Sequence, residues 1–197
     1  TEGERSGVYR ATPLSRLNAA DGMATPLAQE EYEKMYSTLG GKPVHATLAM
    51  HWARLVELLY SAEHCLELAQ DPEITGTELQ AKLEKTPKEG VGIVEAQRGT
   101  LTHHYWTDEK GLVTKANIIV GPTNNNAAIC MSLKKAAQGL IKKGVTVDDG
   151  ILNMVEMAFR AYDPCFSCAT HSLPGAMPME VNFRDLQGNI LRTIKRD

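Results

Sequence analysis

No excess of positive charge marks this sequence: 21 Lys and Arg stand against 24 Asp and Glu, for a net charge of -3. A partner of the phosphate backbone wants a basic face, so nucleic acid is not the expected ligand. No apolar run approaches the roughly 20 residues of a membrane span, and no signal peptide is visible. Neither a membrane span nor secretion is therefore expected. Cysteine is sparse. Cys65, Cys130, Cys165 and Cys168 are too few to staple a chain of 197 residues. That points to a reducing, cytoplasmic compartment, where a CxxC means metal or redox chemistry. Phenylalanine is scarcer still, three against eight methionines, which implies an adaptable core. Internal repeats and low-complexity linkers are absent. The chain begins at Thr1 without an initiator Met, as a processed protein or a piece of a longer one would.

A length of 197 residues suffices for one large domain or two small ones, and 43% hydrophobic residues suffice for a real core. Gly3, Gly7, Pro13, Gly22 and Pro26 punctuate the first 25 residues and predict an irregular start. Thr25-Pro26 reads as a helix start, with Thr as N-cap and Pro at the first helical position, and Gly40-Gly41 as its end. Over 46–70, Leu48, Trp52, Leu55, Leu59, Ala62 and Leu66 recur at alternating four and three residues. Val56 and Tyr60 widen the stripe, which predicts a long helix with one broad buried face, stopped at Asp71-Pro72. A small helix is expected near Thr77 to Glu84 and a turn from Thr86 to Gly92.

The period then changes. Val91 to Trp106 and Leu112 to Val120 read as two strands joined by Asp108-Glu109-Lys110-Gly111. Asn124 to Lys142 is helical again, with Ile129, Leu133, Ala136, Ala137, Leu140 and Ile141 on one face. Asp148-Asp149-Gly150 opens a helix to Ala161, acidic residues suiting its positive end. Met177, Met179, Val181 and Phe183 alternate with small or polar residues, and Asp185 to Asn189 makes a turn into Ile190 to Ile194: a hairpin. His51 and Trp52 are expected to pack, and His103 and His104 to lie on opposite faces of a strand as structural residues.

The stretch Asp163-Pro164-Cys165-Phe166-Ser167-Cys168-Ala169-Thr170-His171 carries the chemistry. Two thiolates two residues apart can grip one soft or borderline metal, and a following His adds a ligand or a proton carrier. Pro164 ends the preceding helix, which puts the cysteines on a turn. Half of a zinc site is one reading, yet no second CxxC supplies the other ligands. Cys65 and Cys130 lie on helical stretches and read as buried free thiols. A thioredoxin-like motif follows a strand, and this one follows a helix. The third reading has a partner segment complete the site.

That stretch resembles DPCxxCxxH, the C-terminal signature of the large subunit of nickel–iron hydrogenases. Glu95-Ala96-Gln97-Arg98-Gly99 resembles the family's EAPRG stretch, and Gly121-Pro122-Thr123-Asn124-Asn125-Asn126 the loop that follows. Arg10 to Asn18 and Asp21 to Pro26 resemble an upstream segment, so the likeness runs over nearly the whole chain. It is strongest to the cytoplasmic group that reduces soluble cofactors or feeds heterodisulfide reductase, a link to methanogenesis.

The resemblance implies a mainly α fold with a small antiparallel β-sheet, a hydrogenase large-subunit-like α+β architecture. Residues 1–171 would form the C-terminal half of the large-subunit domain and 172–197 an extension that a protease removes in most maturing members. It implies a nickel–iron centre with carbon monoxide and cyanide on the iron. Cys165 would be a terminal nickel ligand and Cys168 a bridge to the iron. Arg98 would hang over the open metal position, Thr123 would donate to a cyanide, and His171 would bind magnesium or a similar ion. The implied reaction is heterolytic cleavage of dihydrogen, electrons passing to iron–sulfur clusters of a small subunit.

Three departures stand out. The family's N-terminal CxxC is absent, so an N-terminal half on another chain would have to supply two more cysteines. Gln97 replaces the proline beside the arginine. The tail beyond His171 is present, as in a precursor, a member that skips cleavage, or a protein that has lost its metal. Two other roles compete with catalysis: a nickel-free structural subunit of a larger redox complex, and a simple zinc-binding CxxC module.

Overall fold

The computed structural model describes residues 7–80, 82, 85–165 and 179–196. The chain divides into two compact units, Thr1–Asp163 and Pro164–Asp197. It is mainly helical with a small antiparallel sheet, as the sequence and the resemblance led us to expect.

The first unit opens with α1 (Pro13–Ala19), inside the stretch expected to be irregular. Local capping overrides the Gly and Pro punctuation. The Thr12 hydroxyl accepts from the Ser15 backbone N–H, the Ser15 hydroxyl accepts from the Thr12 N–H, and Pro13 takes the first helical position. Helix α2 (Pro26–Thr38) begins where Thr25-Pro26 predicted, but Thr25 caps nothing with its side chain. Its hydroxyl donates to Glu63 Oε2 at 2.6 Å. Glu63 also accepts from the backbone N–H of Leu27 at 3.0 Å and Ala28 at 2.9 Å. A carboxylate from α3 (Ala49–Gln70) thus satisfies the free donors of α2. Those bonds, Thr25's foremost, hold the Glu63 carboxyl below its usual pKa.

The core forms where α1, α2 and the first turns of α3 meet: Leu14, Leu17, Tyr32, Met35, Tyr36, Met50, Ala53 and Val56. Two methionines in this set, Met35 and Met50, are fully buried, in line with an adaptable core. Of the stripe expected on α3, Val56 is buried and Trp52 packs on the core, but the leucines at 55 and 66 are not buried. Ala49, Met50, Ala53 and Val56 face the core, whereas Leu55 is 62% and Leu66 61% exposed. Ala49 and Ala53 are each one residue past Leu48 and Trp52 of the expected stripe, about 100° around a helix. Small side chains at 49 and 53 let the neighbours approach closely, and the bulky leucines are left outside. His51 is exposed rather than packed, and Trp52 packs against the core.

After α3 comes a 3-10 turn, Pro72–Thr75. The described residues of the expected helix at 77–84 carry no helix, and positions 81, 83 and 84 lie outside the described residues. The single long strand expected from Val91 to Trp106 is two strands, β1 (Glu89–Ala96) and β2 (Gly99–Thr107), folded back with Ala96 opposite Gly99. Alternation runs through the turn and hides it, and β1 already begins inside the turn expected at 86–92. The β2–β3 turn falls at Asp108–Gly111 as expected, the Asp108 carboxylate accepting from the Lys110 and Leu112 N–H groups. Strand β3 (Val113–Ile119) completes the order β1-β2-β3. His103 and His104 do point to opposite faces, one bonded to Tyr105 and the other to Glu89.

Helix α4 (Gly121–Asn124) leads into α5 (Asn126–Leu140), whose predicted apolar face is half-buried against α6 (Asp149–Arg160). Asp148 caps α6 by accepting from the Ile151 N–H at 2.9 Å. Cys65 and Cys130 are free but exposed, contrary to the expectation of buried thiols. Each sits on the outer side of its helix. No helix of the described residues is long and apolar enough to cross a membrane.

The second unit contains the expected hairpin, β4 (Met179–Arg184) against β5 (Ile190–Arg196). Asp185 builds its turn, accepting from the backbone N–H of Gln187 and Asn189. Hydrogen bonds, from the Asn189 side chain above all, hold its carboxyl below the usual range.

Candidate functional site

Three backbone segments converge behind the β1–β2 turn that carries Arg98. A Cβ on Gly99 (φ +140°) would lie 1.9 Å from the Ala11 carbonyl, and one on Gly121 would lie 3.0 Å from Gly99 N. Only glycine permits this approach. Asn125, fully buried, fastens the junction. Its Nδ2 donates to the carbonyls of Arg98 (3.1 Å), Gly121 (3.3 Å) and Ala11 (3.4 Å), and its Oδ1 accepts from the Ala11 N–H (2.9 Å). Asn125→Ala strands these groups in the interior. We expect it to destabilise the fold by about 2–3 kcal/mol, read as a lower denaturant midpoint at unchanged slope.

Arg98 projects from this turn to Asp163. Its Nε donates to the Asp163 carbonyl at 2.6 Å and lies 3.2 Å from the Asp163 carboxylate oxygen Oδ2. Both side chains are partly exposed. Asp163 has a φ of 52°, a left-handed conformation that Asp tolerates better than most residues and that here accompanies contact of both its oxygens with one donor. The two Nη nitrogens of Arg98 make no hydrogen bond among the described residues.

Arg54, from α3, is half-buried beside the pair. Its Nε donates to the Gln97 carbonyl, and Nη1 and Nη2 to the Ala161 carbonyl. Burial pulls its pKa below the ordinary arginine value, Asp163 and Glu57 oppose that, and Arg98 and Arg16 add to it. Glu57 is itself held by Arg16 through paired bonds of 2.8 and 2.6 Å. A cleft of about 730 Å³ runs alongside, lined by Arg16, Arg54, Glu57, Leu58, Glu95 and Gln97 among others. Arg16 Nη1 is buried without a hydrogen-bond partner among the described residues.

Of the residues singled out from sequence, Arg98 meets Asp163, a residue given no role there, across 65 positions. Thr123 lies exposed on α4, the short helix packed on β2. Cys165 is half-buried in the second unit, its sulfur in a disulfide. Cys168 and His171 lie outside the described residues. Among the described residues no three His, Cys, Asp or Glu side chains gather as a metal site would need. As thiolates, Cys165 and Cys168, with two residues between them, would suit a nickel–iron group in kind. The disulfide would have to be reduced before Cys165 could ligate. Sequence reasoning passed over three residues. Asp163 could have been found as the first residue of the cysteine motif. Asn125 stood in a quoted loop without a role, and Arg54 had no signal at all.

The model of the nickel-dependent hydrogenase family matches residues 7–171. The chain belongs to that family. It is 51% identical to an F420-non-reducing hydrogenase iron-sulfur subunit of Archaeoglobus profundus, over 98% of this chain and 40% of that one. To an F420-non-reducing hydrogenase subunit of Methanothermobacter thermautotrophicus it is 49% identical, over 98% and 41%. The NAD-reducing hydrogenase HoxS subunit beta of Cupriavidus necator is 40% identical, over 96% and 39%. Among solved structures, that of an NAD+-reducing [NiFe]-hydrogenase in the H2-reduced state superposes with a TM-score of 0.78 at 41% identity, covering 86% of this chain and 37% of the other. This hydrogenase-family chain thus spans about two fifths of the length of the relatives it matches.

Proposed function

We propose that the chain is the C-terminal half of a nickel–iron hydrogenase large subunit, completed by an N-terminal half that supplies the second CxxC. The observation that carries this reading is the Arg98–Asp163 pair, which ties the EAQRG turn to the first residue of DPCFSCATH. When bound, a nickel–iron centre with carbon monoxide and cyanide would supply the open coordination position and the redox change that dihydrogen cleavage needs. Cys165 and Cys168 would hold it as thiolates, and Thr123 would donate to a diatomic ligand. Arg98 would present its Nη donors to charge developing as the hydrogen–hydrogen bond polarises. Asp163 would orient Arg98. His171 would bind magnesium or a similar ion.

Two features, one on the surface and one buried, support a missing protein neighbour. Leu55, Leu58 and Leu66 stand out of α3 as an apolar face, the kind of patch that partners cover. Arg16 Nη1, buried and without an acceptor among the described residues, asks for one from outside this chain. An iron–sulfur small subunit in the cytoplasm would take the electrons, with heterodisulfide reductase as a further partner.

Elemental analysis of the purified native complex, with an infrared spectrum of the same sample, tests this. Stoichiometric nickel and metal-carbonyl and cyanide bands are expected. No nickel and no bands would turn the reading to a structural subunit. Stoichiometric zinc in colourless protein would turn it to a zinc module.

A further inference from the structure

Apart from Arg98 itself, Arg54 is the only side chain among the described residues that bonds both to the Arg98 turn and to the segment leading into Asp163. Its Nε–Gln97 carbonyl distance is 3.3 Å, and its two Nη–Ala161 carbonyl distances are 3.3 and 3.2 Å. Gln97 directly precedes Arg98, and Ala161, fully buried, stands two residues before Asp163. The arrangement of neighbours leaves Arg54 free for this task. Glu57, one turn further along α3, is occupied by Arg16 through both carboxylate oxygens, so the Arg54 donors go to carbonyls. A half-buried guanidinium has five donors and needs partners for them.

We propose that Arg54 is the positioning residue of the Arg98–Asp163 pair: by fastening the Gln97 and Ala161 carbonyls to one planar guanidinium, it holds the turn that carries Arg98 at hydrogen-bonding distance from Asp163. The guanidinium plane sets the separation of the two carbonyls. A lysine ammonium on its flexible stem reaches one of them but imposes no such spacing. Without the clamp, two strands of backbone that are distant in sequence are joined at this point only through Arg98, and its Nε–H exchanges more freely with water. The effect on turnover rests on the hydrogenase reading. The effect on Arg98 does not.

The test uses the nitrogen-15 signal of the Arg98 Nε–H in the purified protein, assigned by its loss in Arg98→Lys. In Arg54→Lys and Arg54→Ala its exchange with solvent is expected to speed up about tenfold, while the Nε–H of Arg16 keeps its rate. Free guanidinium should slow it again in Arg54→Ala. In the assembled complex the same variants are expected to keep their nickel and lose about 100-fold in dihydrogen oxidation, the cost of misplacing a group by about 1 Å. An Arg98 exchange rate unchanged in both variants overturns the proposal. So does equal acceleration at Arg16 and Arg98, which marks general loosening. Wild-type protein without nickel counts against the hydrogenase reading alone, and the Arg98 signal then decides the clamp.

Discussion

Cys165→Ser is expected to abolish nickel retention in the assembled complex. A serine hydroxyl is isosteric within a few tenths of an ångström but hard, and it stays protonated at neutral pH where a thiol beside a metal ionises. With only two cysteines of this chain in the motif, losing one removes half of its contribution to the centre. The disulfide at Cys165 adds a condition: wild-type protein should take up nickel only after thiol reduction, and the serine variant in neither state. Cys165 is half-buried and is not one of the core residues, so the fold should survive with a thermal midpoint near that of the wild type. Metal analysis by plasma emission reads the result. Unchanged nickel in Cys165→Ser would remove this residue from the ligand set.

Arg98→Lys should leave nickel in place and lower dihydrogen oxidation by about 100-fold or more, the scale seen when one preorganised donor is removed from a reacting charge. Arg98 does two things at once. Its Nε is tied to Asp163, and on the proposed reading its Nη groups face the reacting charge. Lysine has a single nitrogen. It can sit on Asp163 or face the reacting position, and it cannot do both. The two outcomes separate by measurement: nickel content should match the wild type while turnover collapses. Full activity in Arg98→Lys would remove Arg98 from the mechanism and leave its bond to Asp163 as a structural link between two motifs.

Much of the element map was legible because periodicity and caps are local. Asp148 before α6, the Asp108–Gly111 turn and the hairpin around Asp185 were all read from neighbouring residues, and each is made by hydrogen bonds within four positions. The failures came where a local signal was ambiguous or overridden. Alternation through Gln97-Arg98 concealed a reversal that Gly99 makes possible by its positive φ. A capping box at Thr12 made a helix where Gly and Pro had suggested none. On α3 two apolar stripes lie side by side. Periodicity cannot choose between them, because the choice depends on which neighbours arrive: α1 and α2 take Ala49 and Ala53, and the leucines face outward.

The candidate site divides the same way. Its family was in the sequence: the spacing of Cys165 and Cys168, and the arginine in EAQRG, are properties of short segments within the stretch that the family model matches, and the proposed chemistry rests on them. Its assembly was not. Arg98 meets Asp163 across 65 positions, Arg54 meets Ala161 across 107, and Asn125 reaches Ala11 across 114. No repeat or spacing encodes such encounters. They arise because burying the faces of α1 and α3 brings the three segments together, and because two glycines and one buried asparagine let the backbones close on one another. The sequence by itself determined the family and which groups are candidates for its chemistry. The tertiary structure alone decided which of them touch, since contact between distant segments is set by packing and not by the order of residues along the chain.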